Sequence, residues 1–191
     1  LKEYWLDLIH GVRKNGFRRG YNLLLTGPSR GGKTATTTFG IKCLLCGNLD
    51  EQTFSPCHSC RSCSMNEHLL GNDGWEDDAP WFDEQGSRRF VRFHYFPIDC
   101  SRVNESDIED CLSRIRLDDG ILRIVYLDEV HRLTRRGMDE RFLKPIETFP
   151  AIWIASSANI KKESANDDCK LDRMFQNRFS YRINTQKPSS D

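Results

Sequence analysis

Leu23-Leu24-Leu25-Thr26-Gly27-Pro28-Ser29-Arg30-Gly31-Gly32-Lys33-Thr34 is an apolar segment that runs straight into a Gly-x4-Gly-Lys-Thr loop. The order predicts a buried strand, a phosphate-holding loop and a helix from Lys33 to Leu45. Glycines let successive backbone N–H groups turn inward around phosphate oxygens, Lys33 adds a point charge at the β/γ oxygens, and the Thr34 hydroxyl suits a Mg²⁺ ligand. The positive end of the following helix faces the same oxygens. Residues 27–34 are therefore candidate nucleotide-binding residues.

A second run works outward from the first. Leu122-Arg123-Ile124-Val125-Tyr126-Leu127-Asp128-Glu129-Val130-His131 reads as a strand buried on both faces that ends in two carboxylates. Asp128 is expected beside the metal, and Glu129 is expected to polarise an attacking water. Ligands of open α/β sheets collect at the carboxyl ends of strands, so this edge and the loop should face one another. A lone Asp-Glu pair is otherwise a solvated acidic turn; the phosphate loop argues against that.

Cys46 and Cys57-His58-Ser59-Cys60-Arg61-Ser62-Cys63 form the third feature. Cysteines at two-residue gaps with a fourth upstream can surround Zn²⁺ in a closed structural site. Disulfides compete with this reading, but a cytosolic type of active site without a recognisable signal peptide favours free thiols. His58 and Cys43 are possible substitute ligands; His58 sits awkwardly inside the Cys57–Cys60 turn, and Cys43 lies on the apolar helix face. Cys100, Cys111 and Cys169 have no metal spacing and read as packing or surface residues.

The 191 residues are 38% hydrophobic and carry 28 basic and 28 acidic side chains. That suffices for one sizeable core, gives no whole-domain argument for nucleic-acid binding, and includes no membrane-length apolar run. Arg13, Lys14, Arg18 and Arg19 are a local basic cluster that also fits a solvated helix end. Tyr4, Trp5, Leu8, Ile9 and Val12 recur at helical spacing before Asn15-Gly16. The acidic, breaker-rich residues 71–90 predict an exposed insertion, in which Trp75, Trp81 and Phe82 either anchor a partner or tack the loop to its own domain. Val91 to Asp99 predicts a strand. A helix capped by Asn104 should turn Ile108, Leu112 and Ile115 to one face, and a helix from Met138 to Glu147 should kink or stop at Pro145. Ala151 to Ser157 predicts a buried strand, and Phe179, Tyr181 and Ile183 an edge strand. The fold class expected is a single doubly wound α/β domain over residues 1–191, with a mainly parallel sheet, a zinc module at 46–63 and the insertion at 71–90.

The phosphate loop, the cysteine quartet after its helix, Phe96-Pro97-Ile98-Asp99, Asp128-Glu129-Val130-His131 and Ile146-Glu147 together resemble the clamp-loader ATPases of the AAA+ superfamily, closest to the bacterial gamma/tau subunits of DNA polymerase III. The resemblance covers most of the chain. It implies a P-loop NTPase of the AAA+, RecA-like kind that uses ATP, Mg²⁺ and Zn²⁺ in the cytoplasm, away from membranes. It also implies other AAA+ subunits as partners in a ring or arc, with a sliding clamp and primer-template DNA as further partners. Ser157 matches the family's sensor position at the γ-phosphate or attacking water. Asn177-Arg178-Phe179 looks like the family's Ser-Arg-Cys segment, which makes Arg178 a finger reaching a neighbouring subunit's site; the plainer reading is a surface arginine paired with a nearby carboxylate. Asn177, Phe179, the long 158–175 loop and the Trp75 insertion depart from the pattern. The adenine-binding leader, helical lid and collar are expected to be absent from these residues. A repurposed ATPase serving a signalling or defence complex is the alternative, and a non-hydrolysing structural subunit has no chemical need for both carboxylates.

Overall fold

The strands of this chain send alternate apolar side chains into two separate hydrophobic clusters, and that alternation stacks helices on both faces of one sheet. The computed structural model describes residues 1–15, 21–60, 63, 75–82, 88–158 and 171–186. Its strands are β1 (Leu23–Gly27), β2 (Trp75–Phe82), β3 (Arg88–Asp99), β4 (Leu122–Asp128), β5 (Ala151–Ala158) and β6 (Tyr181–Asn184). They lie in the order β2-β3-β4-β5-β1-β6. All neighbours are parallel except β2, which is antiparallel to β3. β5 thus lies between the strand that feeds the phosphate loop and the strand that ends in Asp128.

The helices are α1 (Lys2–Asn15), α2 (Lys33–Leu45), α3 (Glu105–Ile115), α4 (His131–Arg135), α5 (Glu140–Thr148) and α6 (Arg173–Gln176). On one face Leu23, Leu25, Ile124, Tyr126, Ile152 and Ile154 pack against Trp5, Leu8 and Ile9 of α1 and Ile41 and Leu44 of α2. On the other, Leu24, Val125, Leu127, Trp153 and Ala155 pack against Ile108 of α3, Leu133 of α4, Phe142 and Ile146 of α5 and Phe175 of α6. The doubly wound, mainly parallel α/β fold read from the sequence is the fold observed. Burying each of these large side chains contributes about 1.5–3 kcal/mol before entropy is subtracted.

The expected cap of α3 is present as a full capping box: Asn104 Oδ1 accepts from the Asp107 N–H and Asp107 Oδ2 from the Asn104 N–H, both at 3.0 Å. Two expectations are corrected. Of the two outcomes expected at Pro145 the stop does not occur, because α5 runs on to Thr148 and the Phe149 N–H still reaches the Pro145 carbonyl at 2.9 Å; the missing proline N–H removes one bond, and burial of Phe142 and Ile146 outweighs it. The insertion expected at 71–90 contributes a strand to the sheet: β2 pairs with β3 from Trp75 opposite Tyr95 to Phe82 opposite Arg88. Pro80 is tolerated there because β2 lies at the end of the described sheet, where a missing N–H breaks no second ladder.

Candidate functional site

The phosphate loop takes its shape from where β1 ends. Gly27 has φ 157°, and a Cβ on it would lie 2.0 Å from Thr185 Oγ1 and 2.7 Å from the Thr185 carbonyl oxygen, so only glycine lets the chain after β6 close over this turn. Gly32 (φ 74°) is the N-cap of α2 and makes no side-chain cap bond, which leaves first-turn N–H groups for a ligand. Ser29, Arg30, Gly31, Gly32, Lys33 and Thr34 line a cavity of about 360 Å³. Lys33 Nζ donates to the carbonyls of Gly27 at 3.1 Å and Pro28 at 2.8 Å. Burial draws its pKa below the usual lysine value, and Asp128 and Glu129 oppose that shift.

Strand parity brings the carboxylates to the same cavity. Tyr126 and Asp128 continue the face of β4 that carries Leu122 and Ile124, the face covered by α2. The Tyr126 hydroxyl is 2.9 Å from Asp128 Oδ1 and 3.2 Å from Thr34 Oγ1. Burial, then the Asp128 charge, pushes the Tyr126 pKa up, so the phenol keeps its proton. Ser156 Oγ also donates to Asp128 Oδ1 and accepts the Glu129 N–H at 3.2 Å. The Val130 N–H donates to the Ser156 carbonyl at 2.9 Å, so β5 holds the backbone after Asp128 at two points. Glu129 itself has φ 55°, a left-handed conformation that costs of order 1–3 kcal/mol for a side-chain-bearing residue and turns it out of the strand. Glu129 lines the cavity, and its Oε2 is 3.5 Å from Arg132 Nε.

Ser157, the expected sensor, is turned away. It is fully buried, with Oγ 3.5 Å from His131 Nδ1, whereas Ser156 lines the cavity. Ile152 and Ile154 share the α2-covered face of β5, and counting on by two reaches Ser156. The same count from Asp128 back reaches Tyr126, so both residues missed in the sequence carried a signal. His131 accepts the Ala158 N–H on Nδ1 at 3.4 Å, and burial lowers its pKa, which keeps it neutral.

Arg178 lies apart from its own chain's cavity. Asn22, next to the N-terminal end of β1, donates from Nδ2 to the carbonyls of Arg178 at 3.3 Å and Ile146 at 3.2 Å. The phosphate loop is at the opposite end of that strand. Arg178 Nε is 3.1 Å from Glu147 Oε1, but it is not aligned for a hydrogen bond, so the contact is one of charge.

Cys46, Cys57, Cys60 and Cys63 hold their sulfurs within 4.8 Å of one another, and Cys57 and Cys63 are 4.0 Å apart. Tetrahedral zinc–sulfur bonds of about 2.3 Å imply sulfurs about 3.8 Å apart, so the cluster is compatible with zinc. The Cys57 N–H points at Cys46 Sγ and the Cys60 N–H at Cys57 Sγ, each at 3.3 Å. Burial raises the Cys57 pKa, but hydrogen bonds from Ser59 and Cys60 outweigh it and bring the thiol down to about 6. Cys43 is fully buried with its Sγ 3.9 Å from the Phe54 carbonyl, pushed up to about 12 by burial and then by Cys46, and so packs in the core. Neither it nor His58 belongs to the cluster. Cys100 is buried and Cys111 half-buried. Cys169, Arg18 and Arg19 lie outside the described residues, as do the side chains of Arg13, Lys14, Trp75, Trp81 and Phe82.

Among the described residues no helix is long and apolar enough to cross a membrane. No protein-family profile matches the sequence, and no curated protein matches it. Solved structures do match in fold search. PCH-2 of C. elegans is 17% identical over 88% of this chain with a TM-score of 0.47. The FIGL-1 AAA domain, solved in complex with ADP, is 15% identical over 96% with a TM-score of 0.49. Rhizobiales Trip13 is 14% identical over 98% with a TM-score of 0.42. The chain spans 35%, 52% and 59% of those three chains respectively.

Proposed function

We propose that this chain is an ATP-binding and ATP-hydrolysing domain of the AAA+ kind, similar to the clamp-loader gamma/tau subunits, which couples hydrolysis to the assembly of a ring or arc of AAA+ subunits on DNA or a partner protein. The observation that carries this reading is that the phosphate loop and the Asp128-Glu129 pair line one cavity. The N–H groups at the start of α2 and Lys33 Nζ hold the β and γ oxygens. Thr34 and Asp128 offer a hydroxyl and a carboxylate, hard oxygen donors suited to Mg²⁺, and they sit on either side of the Tyr126 hydroxyl. Bound there, Mg²⁺ supplies charge neutralisation at the phosphate oxygens. Glu129 takes the proton of the attacking water as its oxygen bonds to the γ-phosphorus, and the bond to the β–γ bridging oxygen breaks. By resemblance, Arg178 serves a neighbour's nucleotide, and a sliding clamp and primer-template DNA are the further partners.

Lys33→Ala tests the reading. Losing a charge-assisted contact should weaken ATP binding by about 10- to 150-fold. Titration calorimetry of both proteins decides; equal affinities overturn the assignment of the loop.

The cysteine cluster is read as a closed structural site, in which Cys46, Cys57, Cys60 and Cys63 leave no coordination position open. Purified protein is expected to carry about one Zn²⁺ per chain. Cys60→Ser should lower the melting temperature by about 5 °C or more, given that about 1 kcal/mol corresponds to 2–4 °C in a domain of this size. Elemental analysis and a thermal melt check both, and metal-free protein with an unchanged melt on Cys60→Ser removes zinc from the reading.

A further inference from the structure

We infer that Tyr126 is a positioning residue for the metal ligands of this site, tying Asp128 on β4 to Thr34 on α2 through its hydroxyl. The inference rests on the ATPase reading above and deepens it. Tyr126 is 4% exposed, and its hydroxyl lies 2.9 Å from Asp128 Oδ1 and 3.2 Å from Thr34 Oγ1. The phenol has one proton, and an ionised carboxylate can only accept, so Tyr126 donates to Asp128 and accepts from the Thr34 O–H. Thr34, having sent its proton to Tyr126, keeps its lone pairs for a cation.

Ser156 donates to the same Oδ1, so two hydroxyls fix one carboxylate oxygen. Asp128 Oδ2 accepts no hydrogen bond among the described residues and is available as a ligand. Core packing does not explain the hydroxyl: a buried O–H is costly unless bonded, and a phenyl ring would fill the same space. What the oxygen adds is a bond between residues 92 positions apart, joining the phosphate-loop helix to the carboxylate strand. With that bond in place, the two ligand oxygens need no ordering when the cation arrives.

Tyr126→Phe tests this, because it removes the oxygen and keeps the ring. Dissociation constants for a fluorescent ATP analogue are measured on the whole chain, once with Mg²⁺ and once in EDTA. In EDTA the variant should match the parent within about twofold, the usual margin for a site not involved. The gain in affinity that the parent draws from Mg²⁺ should shrink about tenfold in the variant, the size of a hydrogen bond to a charged group. The same Mg²⁺-dependent gain in both proteins overturns the inference and leaves the ATPase reading standing. A variant that loses affinity equally in EDTA also overturns it, since the hydroxyl then supports the loop and not the metal ligands. If the parent binds no nucleotide in either buffer, the ATPase reading falls and takes the inference with it.

Discussion

Glu129→Gln is expected to bind ATP within about threefold of the parent affinity while hydrolysing it about 10²- to 10⁴-fold more slowly, the span of general-base contributions. Glutamine keeps the shape of the side chain but cannot accept the water proton. The fold should tolerate the change. The Glu129 carboxylate is half-exposed, and its contact with Arg132 at 3.5 Å is a surface pair of little energetic weight. The bonds that hold this residue in its left-handed conformation are made by backbone, from the Glu129 N–H to Ser156 Oγ and from the Val130 N–H to the Ser156 carbonyl, and the substitution leaves both alone. Asp128 differs: two hydroxyls bond its Oδ1, so replacing it disturbs the metal ligands along with the chemistry. Single-turnover phosphate release, paired with calorimetric binding, separates the two roles. Undiminished release by Glu129→Gln would mean that the water is activated elsewhere.

The residues that were legible in the sequence are those whose chemistry depends on local spacing. A loop of fixed length between a strand and a helix leaves few ways to arrange Gly27, Gly32 and Lys33: Gly27 ends β1, Gly32 caps α2 and Lys33 opens it. Asp128 and Glu129 are legible because Ile124 to Leu127 before them form an apolar run in a buried strand. The resemblance points to Ser157, whereas the parity of Ile152 and Ile154 places Ser156 on the face towards α2. Tyr126 is harder to read: in an apolar run a tyrosine reads as core, and only the third dimension brings Thr34 to its hydroxyl. β2 is not readable as a strand because Glu76, Asp77, Asp78 and Pro80 break any period-two pattern, and only its pairing with β3 sets it in the sheet. Pro145 does not stop α5 because the local cost of a helical proline is offset by the buried residues that carry the helix past it, which local sequence does not show.

A mixture of Lys33→Ala and Arg178→Ala proteins is expected to recover ATPase activity that neither has alone. β1 separates the Arg178 carbonyl, held at Asn22, from the loop that begins at Gly27, a span of roughly 15 Å or more at about 3.3 Å per residue. That distance argues against Arg178 serving its own chain's phosphates. Its Nε edge is steadied by Glu147, and the rest of the guanidinium has no partner among the described residues, which suits a group that completes a site on another subunit. An arginine delivered in trans contributes on the order of 10³-fold or more to phosphoryl transfer, so Arg178→Ala should lower the assembled rate by about that factor. The competing role is a strut between the segment before β6 and the end of α5. With the Arg178 side chain 27% and that of Glu147 50% exposed, such a pair contributes at most about 1 kcal/mol, so a strut would shift the melting temperature slightly and leave turnover nearly intact. In the mixture, about one head-to-tail interface in four pairs an intact loop from the Arg178→Ala protein with an intact arginine from the Lys33→Ala protein. Activity well above the sum of the separate proteins supports the trans role. No recovery in mixtures shown by light scattering to co-assemble would return Arg178 to its partnership with Glu147.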